Sequence, residues 1–372
     1  MKVMYYWLTM GPYHFARMQA LASQPGIELY VVEATDIDDH YWSRSETTLP
    51  FHHHSLIRNE VLNDSVTRRA SLQLKEEVEK NRPEVLVNGA GYFDPVLYRE
   101  LRRIKKKLDP WLLLWSESTA HDQKRQFWKE KIKQWVVSLY DGAIVAGQPH
   151  KTYLEELGMP QERVQVVGNV VDNSFYHAEP DQNGERSGFL YSGRFLDIKN
   201  PGGLLKAYAE YRYLCSEAHA EPEQLYLAGD GPAREQMEEQ VRQEGIEGVI
   251  FTGILQPEEI KTMYARCSVF ILPSTSEPWG LVVNEAMAAG MPVLVSRLCG
   301  CSSELVEDGA NGYRFDPYDQ GELARRMLEL SRDRQKSVRF GAHSQQLIQH
   351  YTPQTYAEKC AHFFRNISRQ PA

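Results

Sequence analysis

The chain has 372 residues, of which 42% are apolar and 11% aromatic, so it exceeds what one hydrophobic core usually supports and two domains are predicted. Its formal net charge of −8 argues against a nucleic-acid-binding protein. The five cysteines are scattered, and there is neither a signal-peptide pattern nor an apolar run long enough to cross a bilayer, which together predict a reduced, cytoplasmic protein.

Apolar runs alternate with helical patterns along the chain, which is typical of parallel sheets joined by crossover helices. In the first half we predict strands at Lys2–Trp7, Ile27–Val32, Val85–Asn88, Trp111–Trp115, Gly142–Ala146 and Val164–Val167. In the second half we predict strands at Gly188–Ser192, Gln224–Ala228, Val249–Thr252, Val269–Leu272 and Pro292–Ser296, after a polar linker at residues 173–186. These patterns predict an α/β fold of two doubly wound domains facing a central cleft, where ligands bind at the carboxyl ends of the strands.

Polar loops follow two strands of the first half. Gly11, after the opening strand, lets the backbone approach a phosphate closely, and His14 is placed to touch an acceptor. The later glycines of a dinucleotide fingerprint are missing from this loop. Glu117, His121 and Asp122 follow the strand at 111–115. One of them would orient the acceptor or a sugar, with ordinary surface polarity as the alternative for each.

Three patterns suggest a metal site, and in each the alternative is favoured. Asp36-Ile-Asp38 matches the D-x-D metal motif of some sugar transferases, but it lies in an acidic run after a parallel strand, which favours a solvated loop. A solvated loop is likewise favoured for His52–His54. Cys299 and Cys301 lack further cysteines or histidines to complete a ligand set. We therefore expect no metal and no cofactor.

Residues 99–133 are basic, with 11 Lys and Arg against 5 Asp and Glu. The segment from Lys124 to Val136 interleaves its charges with the side chains of Phe127, Trp128, Ile132 and Trp135. Basic-aromatic helices of this kind can lie on anionic membranes. The favoured arrangement turns the aromatic side chains inward and the lysines towards water, with peripheral contact at the inner membrane face as the alternative.

The first strand of the second half precedes a loop with two cations, Arg194 and Lys199. Arginine offers a fixed fork for phosphate oxygens and lysine a point charge, so together they would neutralise a diphosphate leaving group. Glycines also end the next two strands, and the loop around Gly253 would wall a nucleobase. Alone, the two cations would more readily be surface residues on a turn, and glycines at strand ends are common turn residues.

The segment from Glu277 to Glu285 shifts the balance towards a ligand site. An apolar strand at 269–272 leads into the loop that carries Glu277, and a short helix from Leu281 to Ala289 carries Glu285 and stops at Gly290. The unpaired N–H groups at the start of this helix suit an anion. One carboxylate would hold sugar hydroxyls and the other ribose hydroxyls, which outlines a site for a nucleotide sugar.

With these motifs in order, the chain resembles the retaining family-four glycosyltransferases of the GT-B fold. The resemblance is strongest from Phe189 to Phe315 and looser over residues 141–172, with Pro12 and Val170 where the family often has glycine. It implies an acceptor-side domain at 1–175, a donor-binding domain at 186–350, and a final segment at 351–372 whose helix packs back on the first domain.

The resemblance also assigns roles to individual residues. It implies that Arg194, Lys199 and Glu277 serve catalysis, the two cations at the donor diphosphate and Glu277 at the hexose. It implies that Glu285 contacts the ribose and that the amides of Leu281 and Val282 hold phosphate, with Gly11 approaching it from the other domain. It also implies catalysis without an obligatory metal. The acceptor hydroxyl would attack as the leaving phosphate accepts its proton, so no side chain need be a nucleophile.

The sequence thus predicts a hexosyltransferase that uses a nucleotide-diphosphate sugar and a carbohydrate or lipid-linked acceptor, in polysaccharide or glycoconjugate biosynthesis. A sugar-nucleotide epimerase and a catalytically silent nucleotide-sugar-binding protein of the same fold are the alternatives. The epimerase would need further acid–base residues, and no compelling set is present. The cations and carboxylates of the second half argue against a silent protein.

Overall fold

The computed structural model describes residues 1–37, 49–92, 94–121, 125–178 and 186–367. The chain forms two compact units. Of the described residues, the first contains 1–37, 49–92, 94–120, 125–171 and 352–367, and the second contains 121, 172–178 and 186–351.

The first unit is built around one parallel sheet. Within the described residues its strands are β1 Lys2–Trp7, β2 Glu28–Ile37, β3 His52–Val61, β4 Val85–Asn88, β5 Trp111–Ser116, β6 Gly142–Val145 and β7 Val164–Val166. The helices are α1 Pro12–Ala22, α2 Asp64–Asn81, α3 Pro95–Leu108, α4 Phe127–Val137, α5 Gln148–Glu156 and, after the second unit, α14 Pro353–Ile367. The strand order is β3-β2-β1-β4-β5-β6-β7. Every residue of β4 and β6 is buried, as expected for strands with helices on both faces.

The second unit repeats this arrangement with six described strands. They are β8 Phe189–Ser192, β9 Leu225–Ala228, β10 Val249–Gly253, β11 Val269–Leu272, β12 Val293–Ser296 and β13 Gly312–Phe315. The helices are α6 Asn173–Tyr176, α7 Pro201–Glu217, α8 Arg234–Glu244, α9 Pro257–Arg266, α10 Leu281–Ala288, α11 Ser302–Leu305, α12 Gln320–Arg332 and α13 Arg334–Ile348. The strand order is β10-β9-β8-β11-β12-β13, with all neighbours parallel.

The predicted α/β class with two doubly wound sheets is confirmed, and so are the eleven predicted strands, to within a few residues at their ends. The strands β3 and β13 were not predicted. His52–His54, for which a solvated loop was favoured, instead begin β3, where the ring of His53 bonds the buried carboxylate of Glu33 at 3.0 Å. The loop prediction was also wrong for Asp36, which lies in β2 and accepts a hydrogen bond from the Asn59 amide at 2.9 Å. Asp38 lies outside the described residues.

Two further predicted segments can be located. The predicted linker at 173–186 begins with helix α6, and its residues 179–185 lie outside the described part of the chain. Helix α14 packs on α1 and β7 within the first unit. Its buried Tyr356 hydroxyl lies 3.2 Å from the hydroxyl of Tyr5 in β1, so the final helix contributes to the core of that unit.

Candidate functional site

The most prominent cluster of predicted site residues lies at the point where the strand order of the second sheet reverses. From β8 the chain adds β9 and β10 on one side, and it then adds β11, β12 and β13 on the other side. The strands β8 and β11 are therefore neighbours. In open α/β sheets such a switch point leaves a crevice beyond the carboxyl ends of the two strands. The loop after β8 carries Arg194 and Lys199, and the loop after β11 carries Glu277.

Lys199 and Glu277 form an ion pair at this point. The Lys199 ammonium donates to Glu277 Oε2, and the two side chains retain only 20% and 12% of their exposure. Arg194 is exposed, and no described carboxylate pairs with its guanidinium. The structure therefore joins Lys199 to Glu277 and leaves the second cation open to a ligand.

Backbone contacts fix the two loops to each other. The Thr275 amide donates to the Ile198 carbonyl at 2.8 Å. Asn200 adopts a left-handed backbone with φ of +54°, and its side-chain amide donates to the carbonyls of Pro273 and Pro317 at 3.2 and 3.0 Å. An asparagine tolerates this backbone better than most residues and cross-links the loops, so it is a site-shaping residue that the sequence interpretation missed.

The glycines that end β8, β9 and β10 form a stacked layer beside these loops. The Gly193 amide donates to Ala228 at 2.9 Å, and the Gly229 amide donates to Gly253 at 2.8 Å. A Cβ at Gly229 would lie 2.0 Å from the Gly193 carbonyl oxygen, so only glycine fits there. At Gly253 the requirement is conformational, since φ is +76° and a Cβ would meet no heavy atom within 4 Å. The three loop ends thus lie side by side, next to open space at Gly253.

Helix α10 starts where the Glu277 loop ends. Its N-cap is Gly280, with φ of +104°, and no side chain caps the helix. The amides of Leu281 and Val282 occupy the first two helical positions, which have no acceptor within the helix. Both residues are half-buried. The positive end of the helix and these N–H groups suit an anion between the Glu277 loop and Glu285.

Glu285 lies one turn further along α10 and is half-buried. Its Oε2 accepts a hydrogen bond from the Tyr264 hydroxyl at 2.8 Å. Burial raises the pKa of the Glu285 carboxyl from 4.5 to about 7, although hydrogen bonds from Tyr264 and Tyr176 act in the opposite direction. Sequence spacing did not reveal these tyrosines, because they belong to α9 and α6.

In the first unit the corresponding switch point lies between β1 and β4, and the loop after β1 carries Gly11 and His14. Gly11 caps α1, and its amide donates to His14 Nδ1 at 3.0 Å. Burial, with a contribution from Arg17, lowers the pKa of His14 well below its ordinary value of 6.5. The imidazole is therefore neutral near pH 7, and since Nδ1 accepts, Nε2 carries the proton as a donor.

The second polar loop of this unit brings together Glu117 and a residue that was not predicted. The Asn169 side-chain amide donates to Glu117 Oε1 at 2.7 Å, and Asn169 is buried. His121 lies in an exposed turn, and Asp122 falls outside the described residues. The structure thus gives Glu117 a defined partner in Asn169.

The described residues contain neither a metal-binding cluster nor a membrane-spanning helix. Over these ranges no group of three or more His, Cys, Asp or Glu side chains is arranged to hold a metal ion. In the same ranges, none of the helices has both the length and the apolar character needed to cross a membrane.

Comparison with known proteins places the second unit in a family. The family described as Glycosyl transferases group 1 matches residues 172–347. The sulfoquinovosyl transferase SQD2 of Arabidopsis thaliana is 37% identical over 129 residues, which are 34% of this chain and 25% of that protein. The chain spans 25% to 56% of the length of the curated relatives that it matches.

Two solved structures resemble nearly the whole chain. Sucrose-phosphate synthase from Thermosynechococcus elongatus superposes with a TM-score of 0.76 at 17% identity, covering 98% of each chain. Anabaena HepE in complex with UDP and glucose gives a TM-score of 0.74 at 18% identity, covering 98% of this chain and 100% of that one. This chain therefore has the GT-B fold, and its second unit belongs to the glycosyl transferases group 1 family.

Proposed function

We propose that the protein is a retaining glycosyltransferase that moves a hexose from a nucleotide-diphosphate sugar to a carbohydrate or lipid-linked acceptor, in polysaccharide or glycoconjugate biosynthesis. The observation that carries this proposal is the set of groups at the β8–β11 switch point. There an ion-paired lysine, a second open cation and an uncapped helix start lie within the matched family region. In this proposal residues 186–350 bind the donor and residues 1–175 bind the acceptor.

The donor diphosphate lies at the start of α10. The amides of Leu281 and Val282 would donate to its oxygens, and Arg194 and Lys199 would offset its charge. In the structure Glu277 neutralises Lys199. A diphosphate would share that lysine, leaving the Glu277 carboxylate able to accept hydrogen bonds from hexose hydroxyls.

The nucleoside extends from the diphosphate towards Glu285 and the glycine layer. The Glu285 carboxylate would accept hydrogen bonds from the ribose hydroxyls, which favour its ionised form. The base would lie against the backbone at Gly253. The positive φ of Gly253 disfavours a side chain at this position, and the space beside its Cα is open. HepE was solved with UDP and with UDP-glucose, so uridine nucleotides are the first to test.

The transfer step uses the substrate's own phosphate as the base. The bond between the anomeric carbon and the diphosphate oxygen breaks while the acceptor oxygen bonds to the same face of that carbon. The acceptor proton passes to the leaving phosphate oxygen. The protein's part is to orient both substrates and to stabilise the charge that develops on the diphosphate, for which Arg194 and Lys199 are placed. This step requires neither a side-chain nucleophile nor a metal.

The acceptor binds the first unit in this proposal. His14 Nε2–H is a fixed neutral donor, because the Gly11 amide occupies Nδ1. Glu117, held by Asn169, is an acceptor for a sugar hydroxyl. The role of His121 and the approach of Gly11 to the diphosphate stay predictions from the family resemblance.

Incubation with radiolabelled UDP-, GDP- and ADP-sugars tests the proposal. Transfer to an added acceptor, or slow hydrolysis of one donor, is expected. An isomerised donor would instead support an epimerase, and tight binding with neither product would support a silent binding protein. The product's anomeric configuration, measured by NMR, tests retention, and an inverted product would contradict the front-side step.

A further inference from the structure

Helices α3 and α4 form an exposed basic-aromatic surface in the first unit. A groove of about 870 Å³ runs between them and is lined by Tyr98 of α3 and Trp135 of α4, whose rings contact each other with centroids 4.5 Å apart. Arg102 and Lys106 also line it. We call this region, with the exposed face of α4, the α3–α4 surface.

The aromatic residues of α4 do not turn inward, so the favoured arrangement from the sequence is wrong. Phe127, Trp128, Ile132 and Trp135 are 79%, 58%, 46% and 55% exposed. The buried residues of α4 are Val136 and Val137, at its carboxyl end. Trp128, Ile132 and Trp135 are spaced four and three residues apart, so they form one stripe along the helix. A stripe of this size left in water is typical of an interaction site.

Some cations of this surface are paired, such as Arg99 and Arg103 with Glu100, but four others have no acidic partner among the described residues. Among the described residues no carboxylate pairs with Arg102, Lys106, Lys129 or Lys131. The Lys129 ammonium lies over the Trp128 ring at 5.4 Å, and the Lys131 ammonium over the Phe127 ring at 5.6 Å. The apolar faces and the cations are therefore interleaved, not separated into patches.

We infer that the α3–α4 surface docks on an anionic lipid bilayer. Interfacial helices bury aromatic and aliphatic side chains at the level of the headgroups while lysines and arginines reach the lipid phosphates. The exposed stripe supplies the first component and the unpaired cations supply the second. A nucleic acid would use the cations but would leave Ile132 and much of the stripe in water, and the chain's net charge of −8 opposes it. Docking does not depend on the transfer reaction proposed above.

Sedimentation with lipid vesicles tests this inference. The protein is expected to bind vesicles of phosphatidylcholine with 30% phosphatidylglycerol, and to lose binding in pure phosphatidylcholine or in 1 M salt. One basic residue near the surface contributes about a factor of five in affinity, so Arg102→Gln with Lys106→Gln should weaken binding about 25-fold. The matched control replaces the exposed, unpaired cations of the second unit by Lys206→Gln with Arg339→Gln, which should bind as the unaltered protein does.

The aromatic component has its own variant. Phe127→Ala with Trp128→Ala should weaken vesicle binding at least about tenfold, whereas the control Tyr213→Ala with Val338→Ala should not. The circular dichroism spectrum and the melting temperature should be unchanged in every variant, which shows that the variants are folded without relying on the proposed function. Absence of binding to the anionic vesicles, equal loss in the controls, or binding to RNA or heparin but not to vesicles would overturn it.

Discussion

The ionisation of Glu285 should control the affinity for the donor. Burial raises the pKa of this carboxyl to about 7. Ribose hydroxyls bond most strongly to the charged carboxylate, so binding selects the ionised form. The observed affinity then scales with the ionised fraction, which is about 0.9 at pH 8 and about 0.1 at pH 6. We expect the affinity to fall about tenfold between these two pH values.

Titration calorimetry with an intact nucleotide-diphosphate sugar measures this effect. The free nucleoside diphosphate is unsuitable, because its terminal phosphate titrates at about pH 6 and would add its own pH dependence. Glu285→Gln keeps the size of the side chain and its bond to Tyr264 but cannot ionise. Its affinity should be lower than that of the unaltered protein at pH 8 and nearly constant with pH.

Two features of the molecule isolate Glu285 in this experiment. His14 stays neutral across the window, since its pKa lies well below its ordinary value. Glu235, exposed at the start of α8, offers the control Glu235→Gln, which should retain the full pH dependence. A flat profile in the unaltered protein, or a tenfold dependence that persists in Glu285→Gln, would refute the reasoning.

The same substitution has a signature in stability. The folded-state pKa of Glu285 exceeds its unfolded value, so the associated stability is fully present below about pH 4.5 and is lost as pH rises towards 7. Glu285→Gln removes this loss. Relative to the unaltered protein the variant should gain at most about 3 kcal/mol in free energy of unfolding at pH 8, and much less at pH 5. Urea unfolding at the two pH values measures the difference.

Three further predictions concern the same site. Lys199→Ala and Glu277→Ala should each lower turnover about 100-fold or more. The first substitution removes a positive charge at the leaving diphosphate, and the second removes the ion-pair partner of Lys199. Near-normal turnover in both variants, with Lys206→Ala as the control, would contradict these roles. Gly229→Ala would place a Cβ 2.0 Å from the Gly193 carbonyl oxygen, on a residue whose φ is +140°. The melting temperature of this variant should be several degrees lower than that of Gly202→Ala. Equal melting temperatures would argue against the stacked glycine layer. Transfer measured in EDTA should equal transfer with Mg²⁺, and a loss restored by Mg²⁺ would show that a metal is required.

The meeting of the Lys199 loop with the Glu277 loop could be predicted because its signals are local. Each relevant loop follows a short apolar strand, and parallel strands bring their carboxyl ends to one edge of the sheet. The loops that carry Arg194, Lys199 and Glu277 could therefore be placed at one edge of the sheet from the sequence alone. The helix from Leu281 was predicted for a similar reason, since Gly280 precedes it and Gly290, with φ of +76°, stops it.

The features that were missed depend on distant parts of the chain. The strand β3 lacks an apolar run because it lies at the sheet edge, and Ser55 bonds the buried Glu33 carboxylate at 2.7 Å. The raised pKa of Glu285 reflects burial next to Tyr264, which no spacing within α10 reveals. The aromatic residues of α4 point outward because only the last turn of the helix packs on the core of the first unit. In each case the three-dimensional neighbour, not the local pattern, decides the outcome.

A crystal structure of the protein with its nucleotide sugar tests the central proposal most directly. We expect the diphosphate at the amides of Leu281 and Val282, with Lys199 and Arg194 on its oxygens and the ribose hydroxyls on Glu285. A nucleotide bound elsewhere, or one bound here whose diphosphate touches neither cation, would contradict the proposal.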